Sequence, residues 1–179
     1  MDTKRNLFKK FGNTLLGKGK WFLSRAFGIE TETIMGGQLE NIVANKTTLD
    51  KNRIWRADNY YYYTDLKTVK DILKYDLIDQ EEYKDKGRRD CDKFAVAIYN
   101  RFRWIYGLNT MALARWTAIK DAETGKEIGA HRANVFVAED KGKLKVFYFE
   151  PQTDDIVELN GEKEIHLFEK IYELNVLDF

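Results

Sequence analysis

"RRDCDKFAVAIYNRFRW", residues 88–104, holds the chain's single cysteine between two aspartates, just ahead of an apolar periodicity. Phe94, Ala97, Ile98, Phe102 and Ile105 recur at helical spacing and Gly107 supplies a stop. The stretch therefore predicts an amphipathic helix that starts at residue 90 or 91. Cys91 then stands in the first turn, where unpaired N–H groups and a partial positive charge favour a thiolate. Arg88 and Arg89 reinforce that effect, while Asp90 and Asp92 oppose it. Helix position alone does not make a nucleophile, and a general base is required.

The chain has two histidines, His131 and His166. His131 opens "HRANVFVA" (131–138), which faces "KLKVFYFE" (143–150) across "EDKG"; both runs are rich in β-branched and aromatic residues and predict a hairpin. A four-residue loop sets His131 directly opposite Glu150, on the same face. A carboxylate there can fix the imidazole tautomer and stabilise its protonated form, the part of a third triad member. A loop of three or five residues reverses the parity and separates the two. The bland alternatives are an inert buried thiol and a structural His–Glu pair. His166 alternates with Phe168 and Tyr172 in a strand pattern and reads as structural or exposed.

Further out, Thr64 or Asp65 is a cap for a helix through Leu66, Val69, Ile72 and Leu73. The four tyrosines 60–63 read as a half-buried strand, residues 111–119 as another, and Asn160-Gly161 as the turn of a second hairpin. Trp104 and Trp116 are expected in the core. One helix leading into antiparallel strands is an α+β pattern.

The boxes "DCDKFAVAIY", "GAHRANVFV" and "FYFEPQTDDI" together resemble the papain-like and transglutaminase-like cysteine peptidases. The nearest likeness is to the protease domain at the C-terminus of a mushroom agglutinin and to related stand-alone domains of bacteria and their viruses. It covers roughly residues 55–156. The resemblance implies a papain-like fold, with a nucleophile helix packed on an antiparallel sheet, and a thiol protease (a hydrolase) with Cys91 as nucleophile, His131 as base and Glu150 as orienting acid. It casts Asn134 and Gln152 as supporting residues and implies a peptide or protein substrate. Calcium dependence is implied too, with Asp90 and Asp92 as candidate ligands, since hard cations take carboxylate oxygens. No calcium-loop spacing is present, and a solvated acidic rim is the bland alternative. Where papain carries an oxyanion-hole glutamine the chain has Asp85; the Cys91 N–H is one donor, and Gln80 and Gln152 are candidates for the second by residue type only.

Composition frames these readings. The 179 residues suffice for one domain with an appendage, and 44% hydrophobic residues can bury a core. No run of about 18 apolar residues exists to span a membrane. A single cysteine excludes an internal disulfide, and the first 20 residues lack a secretory pattern, so a cytoplasmic setting or a place in a virus particle is expected. Residues 1–26 carry seven Lys/Arg against one acid on a chain of net charge +1. The expected division is a basic N-terminal arm and linker over 1–50 and a papain-like domain over 51–179. The arm suits docking into a larger assembly through residues 1–28, with nucleic acid or a membrane surface as less favoured anionic partners. A non-catalytic structural component, such as a virion protein that keeps the fold for its shape, is the alternative to an enzyme.

Overall fold

The computed structural model describes residues 29–75, 90–162, 164–167 and 170–179, and for Trp116 the backbone alone. Strand β1 (Glu32–Met35) runs into helix α1 (Gly36–Thr47), followed by β2 (Ile54–Trp55), β3 (Tyr60–Tyr63), α2 (Leu66–Lys74) and α3 (Cys91–Arg101). Seven strands complete the chain: β4 (Met111–Asp121), β5 (Glu127–Asp140), β6 (Lys143–Glu150), β7 (Asp155–Leu159), β8 (Glu164–Leu167), β9 (Lys170–Glu173) and β10 (Leu177–Asp178).

The main sheet has eight strands in the order β2-β10-β4-β5-β6-β7, with β9 beside β4 and β8 beside β9. β10 and β9 share one edge of β4, at Leu113–Ala114 and Ala118–Asp121 respectively. A register shift between Ala114 and Thr117 separates the two docking points, and a second falls between Ile119 and Lys120. Such bulges bend a strand and raise its twist, so the sheet curls. β1 and β3 form a separate antiparallel ribbon in which Tyr61 and Tyr63 are buried and Tyr60 and Tyr62 exposed.

The sheet is covered on both faces. Ala133, Val135 and Val137 of β5 and Val146 and Tyr148 of β6 pack with Leu39 and Val43 of α1 and with the β1–β3 ribbon. Phe136, Phe147 and Phe149 pack on the other side with Phe94 and Ile98 of α3 and Val69, Ile72 and Leu73 of α2. The alternation of β5 between these two half-cores is the period-2 signature of a strand buried on both faces.

Several expectations are corrected. Among the described residues strand outnumbers helix and the sheet is curled, so the fold is mostly β and the papain-like α+β class is withdrawn. The reason lies in the last third of the chain, where short apolar runs add the strands β8, β9 and β10 to the sheet. Residues 32–47, read as linker or arm, form β1 and α1, and Leu39 and Val43 belong to the core. Asn160-Gly161 does not close a hairpin: β7 pairs with β6, while β8 pairs with β9. Trp104 is 69% exposed; a π-helical turn over Phe102–Tyr106 breaks the 3.6-residue period that predicted it inside. The basic segment 1–28 lies outside the described residues.

Candidate catalytic site at the start of helix α3

Asp90 sits at the N-cap of α3, and its carbonyl accepts the N–H groups of Lys93 (2.9 Å) and Phe94 (3.3 Å). Cys91 is the first helical residue and is half-buried. The helix is fastened to the sheet by Asn134 of β5, whose Nδ2 donates to the carbonyls of Ala95 (3.1 Å) and Ala112 of β4 (3.2 Å). Ala95 lies about one helical turn beyond Cys91, and Asn134 lies three strand residues beyond His131. This one clamp therefore sets how far Cys91 stands from His131.

His131 Nε2 meets Glu150 Oε2 at 2.6 Å, with the two side chains only 9% and 6% exposed. The pairing differs from the expected one. The loop has two residues, Lys141 and Gly142, both with positive φ as a type I′ turn requires. The register then pairs Asn134 with Phe149, and its continuation sets Ala133 opposite Glu150. His131 and Glu150 share a face as diagonal neighbours, a spacing that long side chains span. The parity argument survives because shortening the loop by two residues leaves facing unchanged.

The Cys91 side chain also acts on the imidazole and favours its charged form. Burial works against its charge, but the bonds to Cys91 and Glu150 and the Glu150 carboxylate outweigh that, and its pKa is pushed up to about 9. With Nε2 held by Glu150, Nδ1 is the ring atom left for the sulfur. Three further groups enclose the pair. Tyr148 donates its hydroxyl to Glu150 Oε2 at 3.3 Å. The Tyr172 ring lies 5.5 Å from the imidazole and 5.7 Å from the Tyr148 ring. The Gln152 N–H reaches Glu150 Oε1 at 3.3 Å.

Cys91, His131 and Glu150 thus come together from α3, β5 and β6. Asn134 holds the helix rather than touching the reacting groups. Gln152 contributes its backbone, while its side-chain Nε2 is buried without a partner. Asp92 is engaged by Arg132 at 3.3 Å, and the Cys91 thiol approaches Asp92 Oδ1 at 3.9 Å. Asp90 Oδ1 is buried without a partner. Among the described residues no group of three His, Cys, Asp or Glu is placed to hold a metal. His166 is exposed, and Gln80 and Asp85 lie outside the described residues. Tyr148, Tyr172 and Arg132 were missed from the sequence. Tyr148 was findable, because a strand residue two positions before Glu150 shares its face.

No family model matches the chain. None of the curated proteins matches it either. Solved structures share its fold, among them the following two. One is described as the "PSL1a-E64 complex", with 17% identity and a TM-score of 0.59, covering 82% of this chain and 51% of that one. The other is Polyporus squamosus lectin bound to a human-type influenza-binding epitope, with 16% identity and a TM-score of 0.58, covering 82% and 49%. The chain therefore spans about half the length of each, and at such identity the likeness carries the fold alone.

Neither structure is described as a peptidase, and the second is described as a lectin. The assignment to the papain-like and transglutaminase-like cysteine peptidases is accordingly withdrawn. The narrower likeness to an agglutinin protease domain and bacterial or viral stand-alone domains goes with it, as do the descriptors hydrolase, thiol protease and virion component. Boxes of a few residues encode a helix start, a strand and a strand-to-turn corner, and such local geometry does not by itself define a family. Among the described residues no helix is long and apolar enough to cross a membrane.

Proposed function

We propose that the chain performs thiol-dependent acyl chemistry, hydrolysis of an amide or transfer of its acyl group, with Cys91 as nucleophile, His131 as proton carrier and Glu150 as the group that orients and charges His131. The observation that carries this reading is the nearly buried His131 ring, held by Glu150 at 2.6 Å, with the Cys91 side chain close enough to act on its charge. A free buried thiol needs no such arrangement to pack.

The protonated ring is an electrostatic partner for the Cys91 thiolate. The thiolate attacks the carbonyl carbon, and the electron pair of the C=O bond moves to oxygen. The oxyanion collapses, the C–N bond breaks, and His131 gives its Nδ1 proton to the departing amine. The neutral ring then takes a proton from water or an incoming amine, which attacks the thioester and returns sulfur as thiolate. Glu150 stays ionised throughout and offsets the charge on the ring.

The test is acyl trapping. Incubation with p-nitrophenyl acetate and an acid quench is expected to leave one acetyl group on Cys91, with a matching burst of p-nitrophenol. Cys91→Ala abolishes both and Glu150→Gln slows the burst. An unmodified Cys91 under conditions that acetylate a control thiol contradicts the reading. A structural part in an assembly docked through residues 1–28 gives that same silent result.

A second reading, glycan binding, is favoured by the lectin neighbour together with the exposed face of the β1–β3 ribbon, where Tyr60 and Tyr62 stand in the open beside Met35. Aromatic faces of this kind pack on sugar rings. Titration with Neu5Aca2-6Galb1-4GlcNAc separates the readings: saturable heat lost in a Tyr60→Ala, Tyr62→Ala variant supports it. An absence of heat at millimolar sugar counts against it.

A further inference from the structure

We propose that Tyr148 is a positioning residue of this site: its hydroxyl donates to the Glu150 oxygen that His131 also uses, which holds the carboxylate in place and weakens its hold on the imidazole's proton. This rests on the acyl-chemistry reading and adds a part that reading does not require.

The geometry is specific. Tyr148 and Glu150 are two residues apart on β6 and so share a face. Tyr148 is fully buried, and its hydroxyl lies 3.3 Å from Glu150 Oε2, the atom that takes His131 Nε2 at 2.6 Å. An ionised carboxylate only accepts, so the tyrosine donates. Burial and the neighbouring carboxylate hold the Tyr148 hydroxyl well above its ordinary pKa, so it remains a donor at every working pH. The Gln152 N–H takes the other oxygen. Glu150 is thus pinned at both oxygens independently of His131.

The chemistry follows from competition for one atom. While His131 is charged, it dominates Oε2. When the Nδ1 proton leaves, Nε2–H stays on Oε2 but as a neutral and weaker donor. The hydroxyl remains and favours the deprotonated state of the pair, which lowers the pair's hold on its proton. The other titratable or charged groups facing the pair are Cys91 and Asp92 from α3, Arg132 on β5, Asp155 on β7 and Tyr172 on β9. None of these is shown donating to Oε2.

The experiment is an NMR titration of the imidazole resonances, for which the exposed His166 serves as internal control. Tyr148→Phe keeps the ring and removes only the donor. It is expected to move the His131 midpoint to higher pH, by about half a pH unit or more, and to leave His166 unmoved. In a Glu150→Gln background, where the carboxylate is gone, the same change is expected to have no further effect. A His131 midpoint that stays in place or falls in Tyr148→Phe overturns the proposal, as does an equal shift in the Glu150→Gln background. The titration does not need a reactive cysteine, so its failure is distinct from a failure of acyl trapping.

Discussion

His131 concentrates the chemistry because it is nearly buried, yet held by Glu150 at one ring nitrogen and close to Cys91, two groups that favour its charged form. Its pKa of about 9 means that the ring holds a proton at neutral pH and acts first as a donor. Glu150→Gln removes the opposing charge and is expected to drop the His131 midpoint back toward or below the ordinary imidazole value, since burial then acts alone with the thiol. The check is the same two-histidine NMR titration, and a midpoint unmoved in Glu150→Gln would show that the carboxylate does not hold the ring. Arg132 matters in a quieter way. Its bond to Asp92 ties the first turn of α3 to the residue beside His131 and neutralises the acid beside the thiol. Arg132→Ala frees that carboxylate and is expected to slow alkylation of Cys91, with little change in melting temperature because the pair is partly exposed.

Each element reaches the site through one or two contacts that can be broken. Asn134→Ala deletes both bonds to Ala95 and Ala112 and is expected to cost roughly 1–3 kcal/mol in urea unfolding, with loss of acyl trapping beyond what stability explains. Gly142→Ala puts a Cβ at φ +73°, a strained backbone, and is expected to cost roughly 1–2 kcal/mol without moving the active groups. Local signals in the sequence were legible at this level. Asp65 caps α2 by accepting from Thr68 N, Val69, Ile72 and Leu73 are its buried face, and α3 begins at Cys91 as the flanking aspartates and periodicity implied. What failed was non-local. The two-residue turn at 141–142 changed the partner of Glu150, and the pairing of β8 with β9 rather than β7 depends on sheet order, which no short window encodes. Trp104 was misplaced because a single π turn shifts the helical phase.

Taken whole, the molecule is a curled sheet closed on one face by α1 with the β1–β3 ribbon and on the other by α2 and α3. The first of these layers was invisible in sequence because α1, "GGQLENIVANKT", offers only a short apolar stripe. Leu39→Ala is expected to destabilise the whole fold by about 2–5 kcal/mol, which urea unfolding reads directly. The His131–Glu150 pair also links folding to pH. Its folded-state pKa is raised, so its contribution is complete below the ordinary imidazole value near 6.5 and is lost as pH rises through about 9. The urea midpoint of the wild type should therefore fall more steeply over that window than that of Glu150→Gln. The account as a whole stands on three side chains from separate elements working as one site, and the rate at which iodoacetamide alkylates Cys91 at pH 6 tests this most directly. The wild type is expected to react at least about tenfold faster than His131→Ala; equal rates in the two proteins would contradict it.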